Sequence, residues 1–475
     1  MIVKDAIPRI EAYQFRHAIN WEIKSGQQWA IVGANGSGKS TLINVLTGKY
    51  ALKSGEVKLS EYSLDNRNGL IRSVSFTDIY SLTDTRNAFY QQRWNAGLMD
   101  TNKLVADLFS RISDPDWLSY LVTAFGVEPL LAKDIRLLSS GELRKILILK
   151  SLLDNPRVLI VENPYIGLDS ASRVVINELF DDLLQSGRLQ LILAVSDPDD
   201  IPPFITHVLP VCDKALGNAI LRTDFLLNDQ LRQQLFPGTD GKIFDFPDYS
   251  LSGKRDAYQT VLNMRQVKIQ YGSHTVLNEL NWEVRKGEKW SLLGKNGSGK
   301  STLFSLVTGD NPQAYANPIE LFDQRRGAGE SIWDIKRRIG YVSPEMHLYY
   351  LENNPCLAVV ASGFFDTIGL YRKHSAEQEA QSLAWMRILG IERLADTSFL
   401  SVSTGEQRLV LLARAFVKNP DLLILDEPLH GLDITNKKRV KRIIEQFCDD
   451  TKTLIYVSHY KEEIPDIVNK TLYLS

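Results

Sequence analysis

The chain has 475 residues, of which 55 are basic and 57 are acidic, so its net charge is −2. This balance gives no reason to expect a polyanion such as DNA, and no specific nucleic acid partner is predicted. Hydrophobic residues make up 44% and charged residues 24%, as in folded proteins. The length suits two α/β domains better than one core.

The three cysteines, Cys212, Cys356 and Cys448, lie far apart and show no metal-ligand spacing. They are interpreted as reduced thiols of a cytosolic protein. The first residues carry mixed charge and lack the apolar centre of a signal peptide. Because no apolar run approaches the roughly 20 residues that cross a bilayer, any membrane channel is expected to come from another chain.

The first predicted elements in chain order are a strand, a Gly-rich turn and a helix, and this unit occurs twice. Residues 20–48 match residues 281–309 at a constant offset of 261. The helices are expected to begin near Ser40 and Ser301. Strands alternate with helical patterns in both halves, which predicts two α/β domains with mostly parallel sheets.

The similarity of the two halves continues downstream. Ser139 lies 100 residues after Lys39, and Ser403 lies 103 residues after Lys300. In each half a further apolar strand ends 23 residues later. These matched intervals indicate two copies of one domain. The predicted boundaries are residues 1–212 for the first domain, 213–257 for a linker and 258–475 for the second domain.

Both Gly-rich turns fit the pattern G-x-x-x-x-G-K-[ST]. Such a loop points backbone N–H groups at a phosphate, and the following helix adds its positive N-terminal dipole. The lysines are expected to reach the β- and γ-phosphates and the serines to hold Mg²⁺. A Gly-rich turn without a ligand is the alternative, against which two full copies argue. The predicted nucleotide contacts are Gly33, Asn35, Gly36, Gly38, Lys39, Ser40 and Thr41, and Gly294, Asn296, Gly297, Gly299, Lys300, Ser301 and Thr302.

A second motif reads LSSGE at residues 138–142 and VSTGE at residues 402–406. Alone, each is a helix capping box, and a capped helix N-terminus also attracts anions. Its place in each repeat resembles the LSGGQ signature of the ATP-binding-cassette family, and this resemblance covers essentially the whole chain. It adds Ser139, Gly141, Ser403 and Gly405 to the predicted nucleotide contacts.

The resemblance implies an ATPase with two tandem P-loop NTPase domains, each having a parallel sheet core and a helical subdomain. ATP and Mg²⁺ are the implied ligands. Domains of this family pair head to tail, with each ATP between one domain's phosphate loop and the other's signature. Pairing within the chain is therefore expected, with Lys300 facing Ser139 and Lys39 facing Ser403.

The second domain carries the acids that ATP hydrolysis requires. Its apolar strand ends in Asp426, expected in the Mg²⁺ shell, and Glu427, expected to orient or deprotonate water. His459 follows another apolar strand and matches the family's switch histidine, which contacts the γ-phosphate. A surface or core histidine is the alternative.

The first domain departs from this pattern. Glu162 can still join a metal shell, Asn163 cannot accept a proton, and Asp197 stands where the switch histidine is expected. Losing a general base costs a factor of about 10²–10⁴ in rate, and Asp197 would repel the γ-phosphate unless it points away. The site with Lys39 and Ser403 is therefore predicted to bind ATP and hydrolyse it very slowly. The site with Lys300 and Ser139 is predicted to turn over.

Three further positions have two interpretations. Tyr271 is placed to stack on adenine or to pack as a strand aromatic in the core. Asp169 and Asp433, each in a Gly-Leu-Asp segment, match the family's D-loop, which touches the opposite site, or are simple turn carboxylates.

Residues 309–343 resemble the ATP-binding proteins associated with molybdate transport, also called photorepair proteins. This resemblance implies a prokaryotic cytoplasmic protein that can lie at the inner membrane and serve an integral-membrane transporter subunit. Against a transporter motor, Asp78 and Glu345 stand where the family usually has a glutamine that signals to the membrane partner. A soluble ATPase in translation, DNA repair or regulation is the alternative, although the charge-balanced linker and the few cysteines disfavour the first two.

Overall fold

The computed structural model describes residues 1–59, 70–75, 78, 104–110, 114–135, 138–168, 170–187, 189–238, 243–249, 257–272, 274–294, 297–329, 331–370 and 372–474. Two positions considered above, Asn296 and Asp169, lie outside the described residues, as does the side chain of Glu345.

The first half forms an antiparallel sheet and a larger, mostly parallel sheet. Its strands are β1 (Ile2–Pro8), β2 (Ile19–Glu22), β3 (Trp29–Val32), β4 (Leu52–Lys58), β5 (Ile71–Val74), β6 (Val158–Glu162), β7 (Gln190–Val195), β8 (His207–Cys212), β9 (Ala215–Leu216) and β10 (Ile220–Leu221). Its helices are α1 (Lys39–Leu46), α2 (Pro115–Phe125), α3 (Ser140–Leu153), α4 (Ser170–Gln185), α5 (Arg222–Leu227) and α6 (Asp229–Leu235). The sheet orders are β2-β1-β4 and β10-β8-β3-β7-β6-β5, with β9 beside β8.

The second half repeats this plan. Its strands are β11 (Thr260–Tyr271), β12 (His274–Arg285), β13 (Lys289–Gly294), β14 (Ile319–Leu321), β15 (Gln324–Arg325), β16 (Ile339–Val342), β17 (Leu422–Asp426), β18 (Thr453–Val457) and β19 (Lys470–Leu474). Its helices are α7 (Lys300–Val307), α8 (Ile332–Lys336), α9 (Pro344–Tyr349), α10 (Cys356–Ala361), α11 (Ala376–Ile388), α12 (Thr404–Phe416) and α13 (Ile434–Phe447). The sheet orders are β12-β11-β14-β15 and the parallel β16-β17-β18-β13-β19.

The central strands are mostly apolar because helices and loops cover both faces of each parallel sheet. All residues of β3, β17 and β18 are buried. This arrangement confirms the predicted α/β class with two similar domains. Among the described residues, no helix is long and apolar enough to span a membrane.

The sheet order brings the predicted motifs together. The phosphate loops follow β3 and β13, the metal-shell acids end β6 and β17, and the switch positions follow β7 and β18. In each sheet these three parallel strands are neighbours. Because parallel strands end at the same edge of a sheet, each domain gathers its three motifs on one edge, where α/β proteins bind ligands.

The segment between the two halves packs against both of them. Strands β9 and β10 pair with β8 of the first sheet. Phe225 and Phe236 then belong to the first domain's core, while Phe244 and Phe246 pack against the second domain's core. The Tyr249 hydroxyl donates to the Val417 carbonyl at 2.8 Å. The described parts of this segment are thus a strap along both domains, and the boundaries at 212 and 258 remain proposals.

Candidate active site

The first phosphate loop turns tightly between β3 and α1. Gly36 and Gly38 have φ of 75° and 112°, conformations that glycine adopts at little cost. The Lys39 ammonium donates to the carbonyls of Gly33 at 2.6 Å and Ala34 at 2.9 Å. Burial lowers the pKa of Lys39 to about 8, although nearby carboxylates favour its charged form. The loop thus holds a buried cation at the start of a helix.

The second phosphate loop has the same geometry in its described residues. Gly297 and Gly299 have φ of 83° and 94°, and the Lys300 ammonium donates to the Gly294 carbonyl at 2.6 Å. The hydroxyls of Ser37 and Ser298, one in each loop, are buried and have no hydrogen-bond partner in the described part of the chain. An unpaired buried hydroxyl is costly, so both loops suit a ligand that accepts hydrogen bonds, as a phosphate does.

The predicted metal-shell residues of the first domain meet. The Ser40 hydroxyl donates to the Glu162 carboxylate. Among the described residues, no group of three or more His, Cys, Asp or Glu side chains is arranged to hold a metal. The hydroxyl and carboxylate oxygens of Ser40 and Glu162 fit an ion such as Mg²⁺, which takes few protein oxygens and completes its shell with water and phosphate.

The first phosphate loop packs against the second domain. The Asn35 backbone N–H donates to Asp433 Oδ2 at 2.8 Å, and its side-chain amide donates to the Gly431 carbonyl at 2.9 Å. A Cβ added at Gly405 would lie 1.1 Å from Asn35 Nδ2. The loop carrying Lys39 therefore lies against both the signature and the Gly-Leu-Asp segment of the other domain. The pairing of Lys39 with Ser403 across a nucleotide stays a prediction.

The second loop is less crowded at the equivalent glycine. A Cβ added at Gly36 would lie 2.7 Å from Glu406 Oε1, whereas one added at Gly297 would meet no described heavy atom within 4 Å. The described parts of the two domains also meet where the Tyr460 hydroxyl of the second domain lies 3.5 Å from the Leu168 carbonyl of the first. The pairing of Lys300 with Ser139 remains a prediction.

Both signature motifs form capping boxes. Ser139 Oγ accepts from the Glu142 backbone N–H at 3.2 Å, and Glu142 Oε2 accepts from the Ser139 N–H at 2.8 Å. Ser403 and Glu406 repeat the exchange at 3.4 and 3.0 Å. Gly405 follows Ser403 in the first turn of α12. The carboxylates fix the helix starts, and the serine hydroxyls stay at the ends that would face a phosphate.

Glu427 occupies an unusual backbone position at the end of β17. Its φ is 48°, its N–H donates to the Val457 carbonyl at 3.0 Å, and its own carbonyl accepts from Arg408. The buried Arg408 side chain also donates to the Asp426 carbonyl at 3.0 Å. These contacts hold the backbone that carries Asp426 and Glu427, which are both 5% exposed.

Two histidines flank the Glu427 carboxylate. His459 Nε2 lies 3.4 Å from Oε1, and its contact with the γ-phosphate stays a prediction. His430 Nε2 lies 3.0 Å from Oε2, and motif reasoning missed this residue. Burial, together with the charges of Asp426 and Glu463, raises the pKa of Glu427 well above its ordinary value. Its surroundings therefore favour the protonated form of this carboxyl group.

The first domain keeps the same backbone with different side chains. Asn163 has φ of 46°, and its N–H donates to the Ala194 carbonyl at 2.8 Å. Arg144 donates to the carbonyls of Glu162 and Asn163, as Arg408 does in the second domain. The C-terminal ends of β6 and β17 therefore have equivalent backbone conformations, but their side chains differ in chemistry.

Asp197 points to the other domain. Its Oδ2 lies 3.1 Å from the Lys437 ammonium on α13, and its Oδ1 accepts from the Asp199 N–H at 3.1 Å. Lys437 also lies 3.2 Å from Glu463 Oε1. The carboxylate that replaces the switch histidine is thus held in an interdomain ion pair.

Tyr271 lies at the end of β11. Its ring is half-buried and packs against the second domain's core, and its hydroxyl accepts from the Asn311 side-chain amide at 2.8 Å. This position suits the core interpretation as well as adenine stacking, so its contact with nucleotide remains a proposal.

Comparison with known proteins identifies the family to which this chain is similar. A family model described as ABC transporter matches residues 16–165 and 277–430. The ABC transporter ATP-binding protein ModF of Escherichia coli is 38% identical over 463 residues, covering 95% of this chain and 91% of that protein. An uncharacterized ABC transporter ATP-binding protein of Schizosaccharomyces pombe is 27% identical, covering 96% of this chain and 94% of that protein.

Solved structures show the same tandem fold. The RNase-L Inhibitor is 20% identical with a TM-score of 0.56, and the match covers 99% of this chain and 87% of that one. The archaeal ribosome recycling factor aABCE1, solved with the ribosomal stalk protein aP1, matches equally well. At this identity the likeness shows the fold alone. With its two matched regions and its two phosphate loops, the chain belongs to the ABC transporter family and is a tandem ATP-binding ABC ATPase.

Proposed function

We propose that the chain hydrolyses ATP at one composite site and retains ATP at the other. In the hydrolysing site Lys300 binds phosphate, Glu427 orients or deprotonates the attacking water, and His459 contacts the γ-phosphate. Ser301 and Asp426 hold Mg²⁺, which neutralises charge on the phosphates when it is bound. In the retaining site Lys39, Ser40 and Glu162 bind the nucleotide without a base.

The unequal pair Glu427 and Asn163 carries this proposal. Both residues have the same backbone conformation, so a difference in hydrolysis between the two sites would come from their side chains. A carboxylate accepts a proton and an amide does not. The first domain also engages Asp197 in an ion pair with Lys437, 3.1 Å away, where the second domain has His459 facing Glu427. Each difference lowers the capacity of the first site for proton transfer.

ATPase kinetics with a nucleotide count test the proposal. Glu427→Gln is expected to lower kcat about 10²–10⁴-fold while two nucleotides stay bound per chain, because binding groups are untouched. The matched control is Asn163→Gln at the equivalent position, which is expected to leave kcat nearly unchanged. Asn163→Glu is expected to add little, since Asp197 remains. If Glu427→Gln keeps its turnover, or the control loses as much, the assignment is wrong.

We further propose that this ATPase drives a membrane transporter whose channel belongs to another chain. The support is family membership and the similarity to a protein named as an ABC transporter ATP-binding protein; the link to molybdate rests on sequence resemblance. The tagged Glu427→Gln chain, purified from native membranes with ATP, is expected to retain one integral-membrane protein that stimulates the wild-type ATPase after reconstitution. A Lys39→Ala/Lys300→Ala chain is the control, and equal recovery with it contradicts the proposal.

A soluble role is the second candidate, and one observation favours it. Where the family usually has a glutamine facing the membrane partner, Asp78 Oδ2 accepts from the backbone N–H of Ser75 at 2.7 Å. In the second domain Ser343 caps α9 by accepting from the Met346 N–H at 3.0 Å. Neither local contact copies the amide. ATP-dependent co-sedimentation with ribosomes, without any membrane partner, would support this candidate.

A further inference from the structure

His430 lies one turn beyond Glu427 and faces the same carboxylate. Its backbone N–H donates to the Glu427 carbonyl at 3.2 Å, and this turn brings its ring back over the side chain. His430 Nε2 lies 3.0 Å from Glu427 Oε2, and the two side chains are 9% and 7% exposed. The contact is therefore close and largely shielded from water.

The 3.0 Å approach does not have the geometry of a hydrogen bond. The ring nitrogens of His430 and the carboxylate oxygens of Glu427 are buried, and none of them has a hydrogen-bond partner among the described residues. Burial, together with Arg408 and Lys437, lowers the pKa of His430 well below its ordinary value. The ring is therefore neutral and offers a single N–H. Because an unpaired buried donor is costly, Oε2 is the natural acceptor for that N–H.

The two halves of the chain supply an internal comparison. Aligned on the strand ends, His430 corresponds to Ile166, just as Glu427 corresponds to Asn163. Ile166 packs across the interface, because a Cβ added at Gly431 would lie 3.0 Å from its Cδ1. The second domain thus has a histidine beside the Glu427 carboxylate, whereas the first domain has an isoleucine beside Asn163.

We propose that His430 is a positioning residue for ATP hydrolysis, whose ring N–H holds Glu427 Oε2 and leaves Oε1 directed toward water and His459. This role rests on the proposed function, since it acts through Glu427. A carboxylate fixed at one oxygen keeps its other oxygen in one orientation, and catalytic groups lose rate when that orientation is loose.

A packing role is the competing explanation. His430 also lines a cavity of about 390 Å³ between the two domains and makes an edge contact with Tyr460, with ring centroids 6.4 Å apart. In that case any aromatic side chain of similar size would serve. A hydrogen-bonding role instead requires a donor near the place of Nε2, which glutamine provides and phenylalanine lacks.

Steady-state ATPase kinetics on the full chain separate the two roles. His430→Phe is expected to lower kcat about ten- to a hundredfold with KM for ATP within about twofold, because phenylalanine lacks the N–H donor that would hold the base. His430→Gln is expected to keep kcat within about threefold of wild type. Ile166→His places the same ring beside Asn163 and is expected to change neither constant.

The outcomes are distinct. If His430→Phe keeps the wild-type kcat, or if Phe and Gln variants lose rate equally, the positioning role is wrong. A rise in KM with unchanged kcat would also overturn it, since that pattern reports lost nucleotide binding. Glu427→Gln is measured in parallel. If that variant still hydrolyses ATP, the proposed function is wrong. If Glu427→Gln is inactive while His430→Phe is fully active, only the role of His430 is wrong.

Discussion

Glu427 and Asn163 share one backbone conformation, with φ of 48° and 46°. Asparagine tolerates this left-handed region better than glutamate does. The second domain therefore has the residue that is less suited to a positive φ at the position where the general base is proposed. Backbone strain of this kind persists where the surrounding contacts fix the conformation. Here the surroundings are Arg408 and the hydrogen bond to Val457.

His347 is a second buried histidine and gives a pH prediction. Its Nε2 lies 2.8 Å from Gln407 Oε1, next to the signature. Burial and the neighbouring Arg408 lower its pKa from 6.5 to about 4. The unfolded chain then binds more protons than the folded one between these values, so stability falls as pH drops through that window. Between pH 7.5 and 5 the loss is on the order of 2 kcal/mol.

Urea unfolding at the two pH values checks this prediction. His347→Gln removes the titrating ring, so the variant is expected to lose less stability than wild type on going from pH 7.5 to pH 5. Its stability at pH 7.5 is lower because the packing changes. His17→Gln, at an exposed position, serves as the control and is expected to follow wild type. Parallel pH curves for all three chains would contradict the assignment.

Motif spacing was enough to predict Glu427, His459 and the phosphate-loop residues, because each occupies a fixed offset from a recognisable strand. His430 gave no such signal. It sits in a turn that tolerates many residues, and only its 3.0 Å approach to Glu427 Oε2 marks it. A comparison with Ile166 could have found it in the sequence. The partner of Asp197 was equally hidden, since Lys437 lies 240 residues away.

At the scale of elements, α13 connects the two domains through its first turns. Asp433 caps the helix by accepting from the Asn436 N–H at 2.7 Å, and its other oxygen accepts from Asn35 of the first phosphate loop. One turn later, Lys437 meets Asp197 of the first domain and Glu463 of its own. A displacement of this helix would therefore alter both the loop and the degenerate switch position.

The ion pair of Asp197 and Lys437 is expected to be energetically coupled. The two side chains are 13% and 25% exposed, so solvent screens them little. A double-mutant cycle with Asp197→Asn and Lys437→Met, measured by urea unfolding, is expected to give a coupling of about 0.5–3 kcal/mol. Each single variant is expected to destabilise the chain, because Asp197→Asn leaves Lys437 with Glu463 as its remaining ion-pair partner and Lys437→Met removes the ammonium that lies 3.1 Å from the Asp197 carboxylate.

The same helix offers a matched control pair. Lys441 lies 2.9 Å from Asp466, which is 88% exposed, so water and salt screen that contact. Its cycle, built with Lys441→Met and Asp466→Asn, is expected to give a smaller coupling. Equal couplings for the two pairs, or none for Asp197 and Lys437, would show that the interdomain contact contributes no more than a surface pair.

Elements with a strong periodic or apolar pattern were predictable, whereas short ones were not. The buried runs of β17 and β18 and the capping boxes at Ser139 and Ser403 follow directly from local sequence. Strands β9 and β10 have two residues each. So short a segment has no period to detect, and it becomes a strand because β8 offers an edge for pairing. The first sheet therefore extends further than its motifs indicate.

At the scale of the whole molecule, the interface depends on small residues where backbones approach closely. At Gly405 an added Cβ would collide with the Asn35 side chain, and at Gly36 it would approach Glu406. Both glycines belong to motifs that were assigned to nucleotide binding. The same residues thus serve contact between domains, which links closure of the chain to the sites that hold ATP.

The two domains are expected to close on each other within one chain. With ATP and Mg²⁺, the Glu427→Gln chain is expected to keep the mass of a monomer, 53.7 kDa, by light scattering, and to show a smaller radius of gyration by X-ray scattering. Gly405→Ala is expected to prevent this compaction, because its methyl group would occupy the place of Asn35 Nδ2. Adding Asn35→Ala removes the obstructing amide, so the double variant is expected to recover part of the compaction. ATP-dependent dimers would instead mean that the two domains close on a second chain, and compaction unaffected by Gly405→Ala would mean that closure does not bring Asn35 against Gly405.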